Sequence, residues 1–196
     1  MVFLLDFSGS MRGRRIAQLR ETFDGLSGAD DSRSGKFVRF YRGESLTVMR
    51  FGGRVLAERS VTYDGQRELD RLRGFVAADD FGDSTAIWST LDHAYQEVAT
   101  VVHDRPGQAV SIVLMTDGEN NAGMDLDAFI RRYGARPQAA RAVRPARSAR
   151  VRVTCATEGL RNQVPQRAFS ARCLGKVQDW NAEDAVLEVQ AMAIFR

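Results

Sequence analysis

The chain has little of what zinc, redox and phosphate sites are usually made from. Two cysteines among 196 residues, Cys155 and Cys173, cannot form a disulfide framework, and read as buried free thiols rather than a bridge. The two histidines, His93 and His103, read as lone surface or helix-cap residues, and no Cys/His spacing suits zinc. The two lysines, Lys36 and Lys176, lie outside any plausible phosphate-binding loop. Gly35 and Gly52-Gly53 mark turns, since no Walker or Rossmann loop follows a strand. No apolar run approaches 18 residues, which excludes a membrane-spanning helix of ordinary length. The opening Met1-Val-Phe-Leu-Leu-Asp6 has neither a basic start nor a small-residue cleavage site, so no secretory signal is visible.

What is present describes a folded domain. The composition is 44% hydrophobic and 27% charged, which argues against wholesale disorder. The net charge of +3 is a sum of two unlike regions. Residues 131–172 hold 11 arginines and a single acid, Glu158, leaving 17 basic and 24 acidic residues elsewhere. A basic block of this size can mark nucleic-acid contact. Here it has few aromatics to stack on bases and no nucleic-acid motif, so a solvated, partly irregular segment is the expectation, without a nucleic-acid partner.

Residues 2–6 form a short, wholly apolar run ending in Asp6, as a buried parallel strand would. Residues 11–24 place Met11, Ile16, Leu19 and Phe23 on one side of a helix. The Gly/Asp/Ser-rich stretch 25–36, including Gly28–Gly35, reads as a surface loop. Strands are expected at 45–51 and 55–62, the second at an edge. Helices follow around Leu69–Val76 and from Thr85 to Val102. The strongest strand pattern is 109–115, which runs into Thr116-Asp117-Gly118. A helix near 125–133 and a strand at 150–156 follow. Phe169, Leu174, Val177 and Trp180 have weak helical spacing, and 182–195 suits either a helix or a strand. Trp88 and Trp180 read as core or interface residues. The order predicts an α/β fold: a doubly wound, mostly parallel open sheet with helices on both faces and one antiparallel edge strand.

In such sheets the site lies beyond the C-terminal ends of the parallel strands, where both apolar strands here end in an aspartate. In Asp6-x-Ser8-x-Ser10 a carboxylate and two hydroxyls alternate through a tight turn, so their oxygens can converge. Asp117 offers a second carboxylate, and Thr85, after Gly82-Asp83-Ser84, another hydroxyl. Carboxylate, hydroxyl and water oxygens are what a hard divalent cation takes. Each residue could by itself be a cap or a turn residue. Three separate loops converging on one edge is the stronger pattern.

These motifs resemble the von Willebrand factor type A (VWA) domain with its metal-ion-dependent adhesion site, or MIDAS. The family pattern is Asp-x-Ser-x-Ser, then a threonine in a later loop, then the aspartate of Thr-Asp-Gly. It falls on Asp6, Ser8, Ser10, Thr85 and Asp117, supported by the flanking runs Val2–Met11, Thr85–Trp88 and Ile112–Asn120. The resemblance implies bound Mg2+ (or Mn2+) and a protein partner whose Glu or Asp completes the ion's coordination. Asp83 and Glu119 would tune the site. Thr116–Asp125 further resembles the VWA half of bacterial envelope proteins that carry a solute-binding-like domain first, implying a periplasmic or extracellular location.

The resemblance covers residues 1–135. It implies sequence ahead of the first strand, so the start looks truncated. From 136 to 196 an arginine-rich, divergent part of the same single domain replaces the family's usual ending, with Thr157–Gly159 standing for a strand-end turn. Two other functions compete. A magnesium-dependent phosphohydrolase would want a second aspartate where Ser8 stands, a lysine and a positioned histidine, which this chain lacks. A structural subunit of a larger assembly would make little use of the ion site. The expectation is a binding module, not an enzyme.

Overall fold

The computed structural model describes residues 1–26, 40–104, 110–117, 119–134, 150–156, 177–180 and 185–191. A seven-stranded sheet runs in the order β3-β2-β1-β4-β5-β7-β6. Its strands are β1 (Val2–Asp6), β2 (Ser45–Phe51), β3 (Val55–Thr62), β4 (Val110–Met115), β5 (Arg150–Ala156), β6 (Val177–Trp180) and β7 (Ala185–Ala191). The helices are α1 (Arg14–Leu26), α2 (Gln66–Val76), α3 (Ile87–Asp104) and α4 (Leu126–Gly134).

β1 lies inside the sheet, parallel to β2 on one side and to the middle strand β4 on the other. All five of its residues are buried. A strand covered on both faces has no polar side, which is why Val2–Leu5 is an unbroken apolar run. Successive side chains point to opposite faces. Val2 and Leu4 therefore join one core with Ile87, Leu91 and Tyr95 of α3, while Phe3 and Leu5 join the other with Ile16, Leu19 and Phe23 of α1 and Leu72 of α2. The doubly wound sheet with helices on both faces is thus present. β3 pairs antiparallel with β2 at one edge, as expected.

Two details differ from the sequence reading. The helix does not begin at Met11. Gly9–Met11 is a single 3-10 turn, Gly13 takes a left-handed φ of 78°, and α1 starts at Arg14. A residue at that φ cannot continue a right-handed helix, and glycine adopts it at least cost. Val177–Trp180, spaced for a helix, is instead a strand antiparallel to β7, while β7 runs parallel to β5. A four-residue strand is too short for its period to be told from a helix turn.

Residues 25 and 26 close α1, and the rest of the expected loop at 25–36 lies outside the described residues. So do most of the arginine-rich segment, the Thr157–Gly159 turn, Cys173, and the side chains of His103, Cys155 and Trp180. Among the described residues, no helix is long and apolar enough to cross a membrane.

Candidate metal centre

β1 and β4 are neighbours, but their chain connections leave the sheet towards different helices. The crevice between their C-terminal ends is the place where α/β sheets bind ligands. Asp6 closes β1 there, fully buried. A buried carboxylate needs partners, and it has them: the Ser8 amide donates to Oδ1 at 2.7 Å, and the Thr116 hydroxyl donates to Oδ2. Burial pushes the Asp6 carboxyl up to about 6. The Thr116 and Ser8 hydrogen bonds oppose the rise, and the Asp117 charge adds to it. Loss of water outweighs the donors.

The Asp-x-Ser-x-Ser spacing does what alternate residues in a turn should. Ser8 and Ser10 place their hydroxyl oxygens 3.0 Å apart, and the Ser10 hydroxyl donates to Asp117 Oδ1 at 3.1 Å. The 3-10 turn that aims them is closed by the Met11 amide on the Ser8 carbonyl at 3.0 Å. Asp117 Oδ2 is buried and takes no well-formed hydrogen bond; the Arg15 guanidinium faces it as an ion pair. Arg15 also donates to the Ser10 carbonyl at 3.2 Å, while its side chain is 55% exposed. A half-solvated cation thus rests on the lip of the carboxylate pair.

Thr85 arrives on a third loop, stitched to the other two through the backbone. The Gly82 amide donates to the Phe7 carbonyl at 2.8 Å, and Ser8 and Gly82 form a parallel bridge. The Thr85 amide donates to Asn121 Oδ1 at 2.7 Å, and the Asn121 amide returns to the Thr85 carbonyl at 2.9 Å. Asn120 Oδ1 accepts from the Trp88 amide at 3.3 Å, at the start of α3. Asp6, Ser8, Ser10 and Asp117 are therefore joined by direct hydrogen bonds. Thr85, 3% exposed, makes none of these bonds; its backbone is tied to Asn121, and its loop reaches the Phe7 carbonyl through Gly82. Asp83 and Glu119 are exposed flanking residues.

Close backbone contact makes this possible. A Cβ on Gly52 would stand 2.9 Å from Gly82 Cα and 3.2 Å from the Ser84 carbonyl oxygen. Gly52 also accepts the Ala86 amide at 2.8 Å. Gly52-Gly53 is thus more than a turn between β2 and β3: it lets the Thr85 loop lie against the strand ends. Behind that loop, Arg20 of α1 donates to the carbonyls of Val76, Ala77 and Ala78 at 3.1, 3.1 and 2.8 Å. Arg50 pairs with Asp80, its guanidinium carbon 4.5 Å from the Phe75 ring centre. Sequence reading missed Arg15, Thr116, Asn121, Arg20 and Arg50. Only Thr116 and Asn121 carried a signal, since both sit in the strand-end loop around Asp117.

Two carboxylates and two serine hydroxyls are thus joined at a rim between two strand ends, with the loop of Thr85 bonded next to them. The family model of the von Willebrand factor type A domain matches residues 1–167. The chain belongs to the von Willebrand factor type A family. The match runs past residue 135, into the arginine-rich part. Solved structures similar to this VWA domain include a von Willebrand factor type A protein from Catenulispora acidiphila. It is 16% identical, with 80% of this chain and 33% of that one covered and a TM-score of 0.46. Another is proximal thread matrix protein 1 from the mussel byssus with a zinc-occupied MIDAS motif, at 15% identity, 80% and 38% coverage and a TM-score of 0.46. A second crystal form of that mussel protein gives 17% identity, 80% and 35% coverage and a TM-score of 0.42. The chain spans about a third of the length of these structures. A comparison with curated proteins finds no match.

Proposed function

We propose that this VWA domain is a divalent-metal-dependent protein-binding module. It captures an acidic residue of a partner through Mg2+ (or Mn2+) held by Asp6, Ser8, Ser10, Thr85 and Asp117. The observation that carries the reading is the carboxylate pair: Asp6 is buried and pushed up by loss of water, and Asp117 keeps one oxygen without a hydrogen bond, faced by the half-exposed Arg15. A hard cation answers both needs, and its preference for oxygen and retained water matches the donors present. When bound, the ion supplies a concentrated positive charge that a partner's Glu or Asp can ligate.

The protein's own residues do the rest. Ser8 and Thr116 fix both oxygens of Asp6, so the carboxylate need not reorganise to accept a ligand. The Ser8 and Ser10 hydroxyls already face one another across the turn. Arg15 neutralises Asp117 at the lip and gives way to the ion; being half in water, it does so at small cost. The reading is of binding, not catalysis. The serine hydroxyls hydrogen-bond one another and Asp117, and no histidine base joins that set among the described residues. The unbroken sheet from β3 to β6 supports treating the chain as one domain.

The test is Mg2+ and Mn2+ binding by calorimetry and thermal denaturation. The wild type and the double variant Asp6→Ala/Asp117→Ala are compared, followed by capture of acidic partners with and without chelator. Binding by the wild type alone supports the reading. A well-folded wild type that ignores both ions overturns it. Phosphatase activity that disappears with Asp6 would favour a hydrolase instead.

A further inference from the structure

A second group of metal-ligating side chains lies away from the strand ends and shares no residue with them. Glu58 is on β3, opposite Met49 in the β2 register. His93 and Glu97 sit four residues apart on α3, so both project from one side of the helix. His93 Nε2 stands 3.4 Å from Glu58 Oε2 and 3.3 Å from Glu97 Oε1. One ligand atom from each of the three side chains falls within 4.8 Å of the others. Among the described residues no other group of three His, Cys, Asp or Glu side chains comes so close.

We propose that Glu58, His93 and Glu97 form a second cation site, selective for zinc-class transition metals over magnesium. The spacing is the first argument. Zinc bonds of about 2.0–2.1 Å in a tetrahedron put neighbouring ligand atoms about 3.3–3.4 Å apart, as found on both sides of the imidazole. The ligand type is the second. An imidazole between two carboxylates suits zinc and its neighbours, while magnesium prefers an all-oxygen shell. Charge is the third. With a neutral imidazole the group carries two facing carboxylates, and Glu97 is pushed up by its partial burial and by the nearby Glu58. A divalent ion cancels that repulsion. With three protein ligands the tetrahedron keeps one open corner for water or a partner's side chain. His93 is a surface residue as expected but not a lone one, since its two partners come from residues 4 and 35 positions away.

Cobalt(II) tests the site. It replaces zinc and absorbs strongly in the visible only when tetrahedral, so an all-oxygen six-coordinate site stays nearly silent. The full chain, His93→Ala, Glu97→Gln and Asp6→Ala/Asp117→Ala are titrated, with folding checked by circular dichroism. The expected result is a visible band in the wild type and in the double aspartate variant, absent in His93→Ala and weakened in Glu97→Gln. Zn2+ should displace the band and millimolar Mg2+ should not. No band in the wild type, or a band that survives His93→Ala, overturns the proposal and leaves the three side chains as an ordinary ion-pair cluster. The double aspartate variant separates this outcome from failure of the strand-end site.

Discussion

The two clusters differ in how their ligand atoms are held. At the strand ends the oxygens belong to short side chains on backbone pinned by the Phe7, Ser8, Met11 and Gly82 amides. At the β3–α3 surface they sit at the tips of long side chains that are 29–46% exposed. In the first case folding has already covered the cost of ordering the site, whereas in the second the ligand must fix several rotors itself. The difference teaches what each can select. If it binds as proposed, a pinned rim would discriminate by coordination geometry and leave one place for a partner. A flexible triad adapts its shape, and discriminates by the softness of its imidazole.

Four predictions bear on that contrast. The largest effect comes from Asp6→Ala, which strands the Ser8 amide and the Thr116 hydroxyl. Measured below the raised Asp6 pKa, at about pH 5, where no buried charge is relieved by the change, it should cost about 1–3 kcal/mol of stability, as well as abolishing the Mg2+ response at neutral pH, while leaving the cobalt band intact. Equilibrium urea unfolding and cobalt titration of one variant would show both. If Asp6→Ala unfolds no more readily than wild type, the strand-end cluster is not pinned as described.

Gly52→Ala comes next. Its methyl meets backbone on the Thr85 loop, where neither neighbour is a flexible side-chain end. Overpacking of this kind costs about 1–3 kcal/mol, and Mg2+ affinity should fall at least tenfold. The Glu58–His93–Glu97 group should not notice. Calorimetric titration with both metals gives the comparison directly.

Asp80→Ala leaves the buried Arg50 guanidinium without its carboxylate, with its Nε already lacking a hydrogen bond. Because Asp80 is itself 56% exposed, water takes over part of its role, and a loss of about 1–2 kcal/mol is expected. A denaturation midpoint unchanged within error would show that Arg50 is held by Phe7 and Phe75 rather than by its ion pair.

Arg15→Gln should have the smallest effect and the opposite sign. Removing the competing cation should tighten Mg2+ binding about two- to fivefold, equivalent to about 0.4–1 kcal/mol. The gain should shrink in high salt, where the Arg15–Asp117 pair is already screened. Weaker Mg2+ binding in this variant would mean that Arg15 supports the ion instead of competing with it.

Much of the strand-end site was legible because its signals are local. Val2–Asp6 and Val110–Asp117 each show an apolar run ending in a carboxylate, and Asp6, Ser8 and Ser10 are separated by single residues. The bounds of β2, β3 and β5 were legible for the same reason, as alternating runs between turns. What was hidden depends on distance along the chain. Arg15 meets Asp117 across 102 positions, Thr116 meets Asp6 across 110, and Glu58 meets His93 across 35. Nothing near Arg15 distinguishes it from Arg12 or Arg14. Gly52 reads as a turn until Gly82 is seen against it. β6 escaped because four residues lack a period long enough to register, and β7 was left open between helix and strand.

The bridge between Ser8 and Gly82 has a consequence for motion. Phe7 accepts from Gly82 on one side and donates to Phe51 on the other, at 2.8 and 2.6 Å. The loop bearing Thr85 is thereby continued from β1, one rung beyond its end. Loops at binding rims usually open on their own, with little free energy. Lifting this one breaks the Gly82–Phe7 and Ala86–Gly52 bonds that anchor it just beyond the ends of β1 and β2. Amide exchange at Gly82 should therefore be slower than at the exposed Asp83 beside it, and breathing of the rim should be greater on the side that carries Asp117 and Arg15.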